Sequence, residues 1–192
     1  MWYHGFTIKS RELECAIKLS ADAEMRYEDS TRRSTKKALK SVTVKETDQF
    51  AEYWDLLTIN LKQKHNSEPT HNLEAFNQLR NLVAAENIKL FGAFSNERLI
   101  AGIVVFVHPP VAIHAQYIAS DLDYQNERPL NAVIDYIIKW GTENKFQYFN
   151  LGMGNEEAGH IINYGLFRFK EGFGGRGVLR ETMHLQLKNQ QY

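Results

Sequence analysis

Leu13, Cys15, Ile17 and Leu19 alternate with Glu14, Ala16, Lys18 and Ser20. A period of two with one apolar side predicts a half-buried strand, and Gly5 to Lys9 reads as its hairpin partner. Good helix formers fill Ala21 to Lys40 and predict a helix with a basic cluster at Arg32, Arg33, Lys36, Lys37 and Lys40. Val42-Thr43-Val44 reads as a short strand. Thr47 is the expected N-cap of the next helix, whose buried stripe is Phe50, Trp54, Leu57 and Leu61. Asn66 to Thr70, with Pro69, interrupts it, and Asn72 caps a second helix with its stripe at Phe76, Leu79 and Val83.

Two strands follow, Ile88 to Phe94 and Leu99 to Val107, joined by a tight turn at Ser95 to Arg98. The second is apolar on both sides, so both its faces are expected to be covered. His108-Pro109-Pro110 ends it, because proline has no N–H for a ladder bond. Ala112 to Ala119 is the next strand, Ser120 to Glu127 a polar loop, and Pro129 opens a helix that buries Leu130, Val133, Ile134, Ile137 and Trp140. Tyr148 to Leu151 is a strand and Gly152 to Asn163 a Gly-bearing loop. A last short helix stops on Gly174-Gly175. The closing strand runs from Val178 to Leu187, with Leu179, Met183, Leu185 and Leu187 on one side. From Val42 onward the order is strand, two helices, three strands, helix, strand, helix, strand, which predicts a mixed sheet with helices on both faces.

The bulk properties narrow the class. The 192 residues carry 23 basic and 23 acidic side chains, net charge zero, so the global balance argues against nucleic acid as the main partner. The one cysteine, Cys15, has no internal partner and fits a reducing compartment. The N-terminal residues show no secretory pattern, and the longest apolar run, Leu99 to Val107, is about half of what a membrane span needs. A cytoplasmic protein is expected.

Three segments carry a family resemblance. They are the hairpin Leu90-Phe91-Gly92-Ala93-Phe94 to Leu99-Ile100-Ala101-Gly102, the segment His114 to Ser120 with the helix from Pro129, and the C-terminal stretch. That stretch comprises Tyr148-Phe149-Asn150-Leu151-Gly152, Asn155-Glu156, Gly159, Gly165-Leu166 and Phe169-Lys170-Glu171-Gly172-Phe173-Gly174-Gly175. Together they resemble the GNAT acyltransferase superfamily, and in particular its Fem-like branch, which includes peptidoglycan aminoacyl-transferases. Arg32 to Ala38 resembles the basic helix before the second GNAT unit of that branch. The resemblance implies an α/β fold with a GNAT-like, mixed, mostly antiparallel central sheet flanked by helices on both faces. It divides the chain into residues 1–41, N-terminal strands and basic helix read as the remnant of a first GNAT unit, and 42–192, the GNAT-like domain. A missing unit, or a second copy of the chain, would complete the molecule.

The resemblance also implies a function: transfer of an acyl group, acetyl first, from acetyl-CoA or another acyl-CoA to an amine or hydroxyl of a sugar or cell-envelope precursor, without a metal. Aminoacyl transfer from a charged tRNA and a non-catalytic binding domain are the alternatives. The donor site maps to Ile118, Ala119, Ser120, Arg128 and Lys170. The matching phosphate loop, Ser120 to Arg128, has no glycine and carries Asp121, Asp123 and Glu127, which would repel a pyrophosphate. The acceptor is expected over His114, Gln116, Asn155 and Arg176. Candidate acids and bases are His114, Asp121, Glu156 and Tyr164, with Glu157 and His160 beside them. The position where many relatives place a proton-donating tyrosine falls on Phe169. Each has a plainer alternative: a core-satisfied histidine, a turn aspartate, solvated loop acids, and cations that suit a helix C-terminus.

Overall fold

The computed structural model describes residues 5–156 and 159–187. Glu157 lies outside them. One sheet of seven strands organises the chain, in the order β2-β3-β4-β5-β6-β1-β9. The strands are β1 (Thr7–Lys18), β2 (Thr43–Thr47), β3 (Ile88–Ser95), β4 (Arg98–His108), β5 (Ala112–Ser120), β6 (Tyr148–Met153) and β9 (Arg176–His184). β5 and β6 run parallel; the other neighbours are antiparallel. A two-residue pair, β7 (Asn155–Glu156) with β8 (Ile161–Ile162), folds part of the Gly152 to Asn163 loop into a small hairpin.

The helices are α1 (Asp29–Ala38), α2 (Phe50–His65), α3 (Leu73–Leu82), α4 (Pro129–Glu143) and α5 (Tyr164–Glu171). α1 and α4 cover one face, burying Val133, Ile134 and Ile137 against Phe91, Ile103 and Ile113. α2 and α3 cover the other, with Trp54 stacked on Phe76 at 4.2 Å and edge-on to Tyr117. The nearly all-apolar β4 lies between the two cores, as its composition requires. Asn72 caps α3 by accepting from Ala75 N at 2.8 Å.

The structure corrects four local expectations. Gly5 to Lys9 is no hairpin partner: Thr7 to Lys18 is one long strand between β6 and β9. The helix expected over Ala21 to Lys40 is broken into a 3-10 turn (Ala23–Arg26) and α1. The break lets Tyr27 plunge into the core, where its ring meets Phe173 edge-on at 5.3 Å, while Glu28 N donates to Gly172 O. Thr47 ends β2, and Gln49 occupies the N-cap of α2. The last strand starts at Arg176 and ends at His184. Its apolar side chains Val178 and Leu179 are exposed, 49% and 57%, because β9 is the sheet edge.

Candidate functional site

The sheet opens at one place. β5 and β6 pair only through Ala112–Tyr148, Ile113–Phe149 and His114–Asn150. Beyond His114 they separate, so among the described residues the β6-facing edge of β5 from Ala115 to Ser120 pairs with no strand. Two features set this split. On β5, Gln116 is the extra residue of a bulge: Ala115 opposes Val105 and Tyr117 opposes Val104. A bulge bends its strand and turns side chains from their regular alternation. On β6, Gly152 takes φ 74°, its N–H donates to Asn150 Oδ1 at 2.7 Å, and Lys170 of α5 pulls on the strand end. Lys170 is 3% exposed and donates to the carbonyls of Gly152 (3.0 Å) and Met153 (2.6 Å). Burial drags its amine down to about 8, with Cys15 and Glu14 opposing the fall.

The apex of the split is polar. Asn150 donates to Glu14 Oε2 at 2.6 Å, and Glu14 also meets Arg180 at 3.3 Å. With His114 opposite Asn150, the row runs across β5, β6, β1 and β9. Burial holds His114 below the usual histidine value, and the Glu14 charge works the other way. At neutral pH the ring is therefore uncharged and has a nitrogen free to accept a proton.

The far end of the same edge meets a cavity of about 240 Å³ at the N-terminus of α4. Lys64, Ser120, Gln125, Arg128, Asn131 and Phe169 are among its lining residues. Arg128 is the N-cap in left-handed conformation (φ 56°), and Pro129, which has no N–H, takes the first helical position. Asn131 N already donates to Arg128 O at 2.9 Å, so of the first turn the Leu130 N–H is left over, with the positive end of the dipole, beside two cationic side chains, a favourable setting for an anion. Desolvation lowers the pKa of Lys64.

Two of the three acids expected to repel a phosphate, Asp121 and Asp123, are drawn to another cleft. Asp121 pairs with Arg98 at 2.7 Å and accepts from Asp123 N at 3.0 Å. Asp121 and Asp123 line a second cleft of about 600 Å³, against Glu52, Asp55 and Glu97 on the α2 side. Ser120 lines both clefts, and Asn60 donates to its carbonyl.

The expected site residues therefore fall into groups. Ser120, Arg128 and Phe169 come together at the cavity, and His114 and Gln116 lie on the split strand. Ile118 and Ala119 send their side chains into the two cores, leaving backbone to the edge. Lys170 shapes β6. Asn155 accepts from Leu13 N, Glu156 accepts from Asn163 Nδ2, and Arg176 donates to the Gly175 carbonyl. Tyr164, 78% exposed, His160 and Glu156 stand on the surface around the small hairpin and the start of α5. Lys64, Asn150 and Glu14 were missed because each reaches the site from an element distant in sequence, and Gln125 and Asn131, though beside Arg128, carry no motif that singles them out. Among the described residues, no group of three or more His, Cys, Asp or Glu side chains is placed to hold a metal ion, and no helix is long and apolar enough to cross a membrane.

Comparison with solved structures finds the same architecture in FemX, at TM-score 0.72 and 13% identity over 92% of this chain and 64% of that one. L-PGS from Bacillus licheniformis matches at TM-score 0.63 and 15% identity, over 91% and 61%. A conserved protein of unknown function from Bacteroides thetaiotaomicron matches at 0.66 and 15%, over 93% and 60%. The chain spans about three-fifths of the length of these structures. Sequence comparison with the curated proteins finds no match. The sequence model of the acetyltransferase (GNAT) domain matches residues 25–170, a span that holds the split strands, the α4 cavity and Lys170. By that match the chain belongs to the GNAT acetyltransferase-domain family, and its fold is Fem-like.

Proposed function

We propose that this protein transfers an acyl group, acetyl in the simplest case, from acyl-CoA to an amine or hydroxyl on a sugar or cell-envelope precursor. One observation carries the reading: a free strand edge runs from a cation-lined helix N-terminus, at Arg128 and Lys64, to an uncharged histidine at the apex of the split. Ser120 and His114 are six residues apart, roughly 20 Å along an extended strand. The donor's phosphates sit at α4, and its arm lies along β5 as an added strand, taking backbone bonds that β6 leaves unmade. The thioester then reaches the bulge.

There the acceptor attacks the carbonyl. His114 takes its proton, directly or through water, and an N–H of the free β5 edge receives the oxyanion. Asn150 and Glu14 fix the polar row around that ring. Phe169 has no proton to give, so the leaving thiolate is protonated by solvent or with the proton that His114 has taken from the acceptor. Gln116, exposed at the bulge, contacts the acceptor, and Asn155 and Arg176 extend that surface. Asp121, Glu156 and Tyr164 are secondary candidates, the first two because hydrogen bonds already hold them.

The test is thiol release from acetyl-CoA with a panel of amino sugars and envelope precursors. Acceptor-dependent release that His114→Gln abolishes supports the reading; release that survives the change removes His114 from the chemistry. A second reading, aminoacyl transfer from charged tRNA, draws on Arg33 and Lys37 of α1 and Lys40 just past its end, all exposed and without acidic partners among the described residues. It predicts that binding to charged tRNA weakens steeply with salt and needs those three residues.

A further inference from the structure

A third cleft lies further along α4, around Asp135 and Lys139, and shares no lining residue with the donor cavity. It measures about 660 Å³ and is walled by the 3-10 turn, α1 and α4. That volume is in the range of small-molecule sites. Its inner wall holds Asp135, 3% exposed, whose carboxylate accepts from Tyr27 OH at 3.1 Å and Lys139 Nζ at 2.9 Å. Its mouth is apolar, with Met25 78% and Leu39 46% exposed.

Thr35 is the unusual member. It is 4% exposed, lines this cavity, and its hydroxyl has no hydrogen-bond partner. A helical threonine ordinarily satisfies its hydroxyl on the carbonyl one turn back. Thr58 and Thr142 do so here, on Trp54 and Ile138, both at 2.8 Å. An orphaned buried hydroxyl costs free energy unless something fills its need.

The charges around it are unequal. Arg32 is spent on Asp29 and on the carbonyls of Glu24, Met25 and Tyr27. Lys139 is spent on Asp135 and Glu24. Lys36, one residue from Thr35, lines the cavity and has no acidic partner among the described residues. The site therefore offers an apolar mouth, one uncommitted cation and one uncommitted hydroxyl.

We infer that this cavity binds a small amphipathic anion, with its carboxylate or phosphate on Lys36 and Thr35 and its apolar body against Met25 and Leu39. This site is separate from the donor cleft and does not depend on the acyl-transfer reading.

The test uses the whole chain and anilinonaphthalene sulfonate, a fluorescent anion with an apolar body. Saturable one-site binding is expected, displaced by octyl phosphate or octanoate and not by octylamine. Whichever of the two anions competes better identifies the headgroup. Lys36→Gln and Thr35→Val are each expected to weaken the dye about tenfold, the loss of one charge-assisted or buried hydrogen bond. Thr35→Val removes an orphaned hydroxyl, so the ligand-free variant melts no lower than the parent. Lys36 is exposed, so its replacement leaves the fold intact. No saturable binding, equal competition by octylamine, or affinity that both variants leave within twofold of the parent overturns the proposal.

Discussion

Replacing Arg128 by glycine separates the donor site from the stability of the fold. Arg128 is the N-cap of α4 with φ 56° and ψ 44°, a left-handed conformation that costs a residue with a Cβ about 1 kcal/mol. Glycine adopts it without that cost but surrenders about as much in unfolded-chain entropy. The two effects cancel to within about 1 kcal/mol, so the melting temperature should move by only a few degrees. The guanidinium, however, lines the α4 cavity beside Lys64. Loss of one charge-assisted contact to a phosphate costs about 1.5–3 kcal/mol, or about 10- to 100-fold in affinity. Titration calorimetry with coenzyme A on the parent and Arg128→Gly reads that difference. Asp121→Asn is the control, because Asp121 faces the opposite cleft on Arg98 and its loss should not weaken the ligand. Unchanged affinity in an Arg128→Gly protein of unchanged melting temperature would refute the placement of the phosphates at α4.

Other consequences are equally open to measurement. Lys170 falls from 10.5 to about 8 on folding, so it contributes stability that is lost as pH drops through 8 and gained as pH rises from 8 toward 10.5. Cys15 rises from 9.0 to about 11, so its contribution is complete below pH 9 and lost above it. Urea titrations should show stability rising between pH 8 and 9, at up to about 1.4 kcal/mol per pH unit, then levelling as the two oppose. Lys170→Met should abolish the rise, and a flat parent profile would contradict the burial argument. His114→Gln should cut turnover about 100-fold or more while leaving coenzyme A affinity unchanged. Because burial lowers the pKa of His114, the acid limb of the parent's activity should lie below the pH at which an ordinary histidine titrates. Trp54→Ala should cost about 3–5 kcal/mol in chemical denaturation. It empties the stack on Phe76 and strands the carbonyl of His71, which accepts from Trp54 Nε1 at 3.0 Å.

The legible parts of the chain were those where one element's own period decided the outcome. Phe50, Trp54 and Leu57 mark the buried side of α2, and the unbroken apolar run of β4 announced a strand covered on both faces. The illegible parts depended on partners far away in sequence. Gly5 to Lys9 reads as a separate hairpin partner of the strand from Leu13; Thr7 to Glu12 instead continue β1, because β9 pairs with them at the sheet edge. Helix propensity runs straight through Tyr27, and only Asp135 and Phe173 explain why the chain turns there. At the candidate site, family likeness names Ser120 and Arg128, and the fold groups them with Phe169 around one cavity. The split, the bulge at Gln116 and the row from His114 to Glu14 are register, which no single segment encodes.

Calorimetric titration of the whole chain with acetyl-CoA, against coenzyme A without the acyl group, tests the central claim most directly. The account predicts saturable one-site binding at micromolar concentration, weakened by salt and by Arg128→Gly. No binding at millimolar acetyl-CoA would contradict it and turn attention to charged tRNA as the donor.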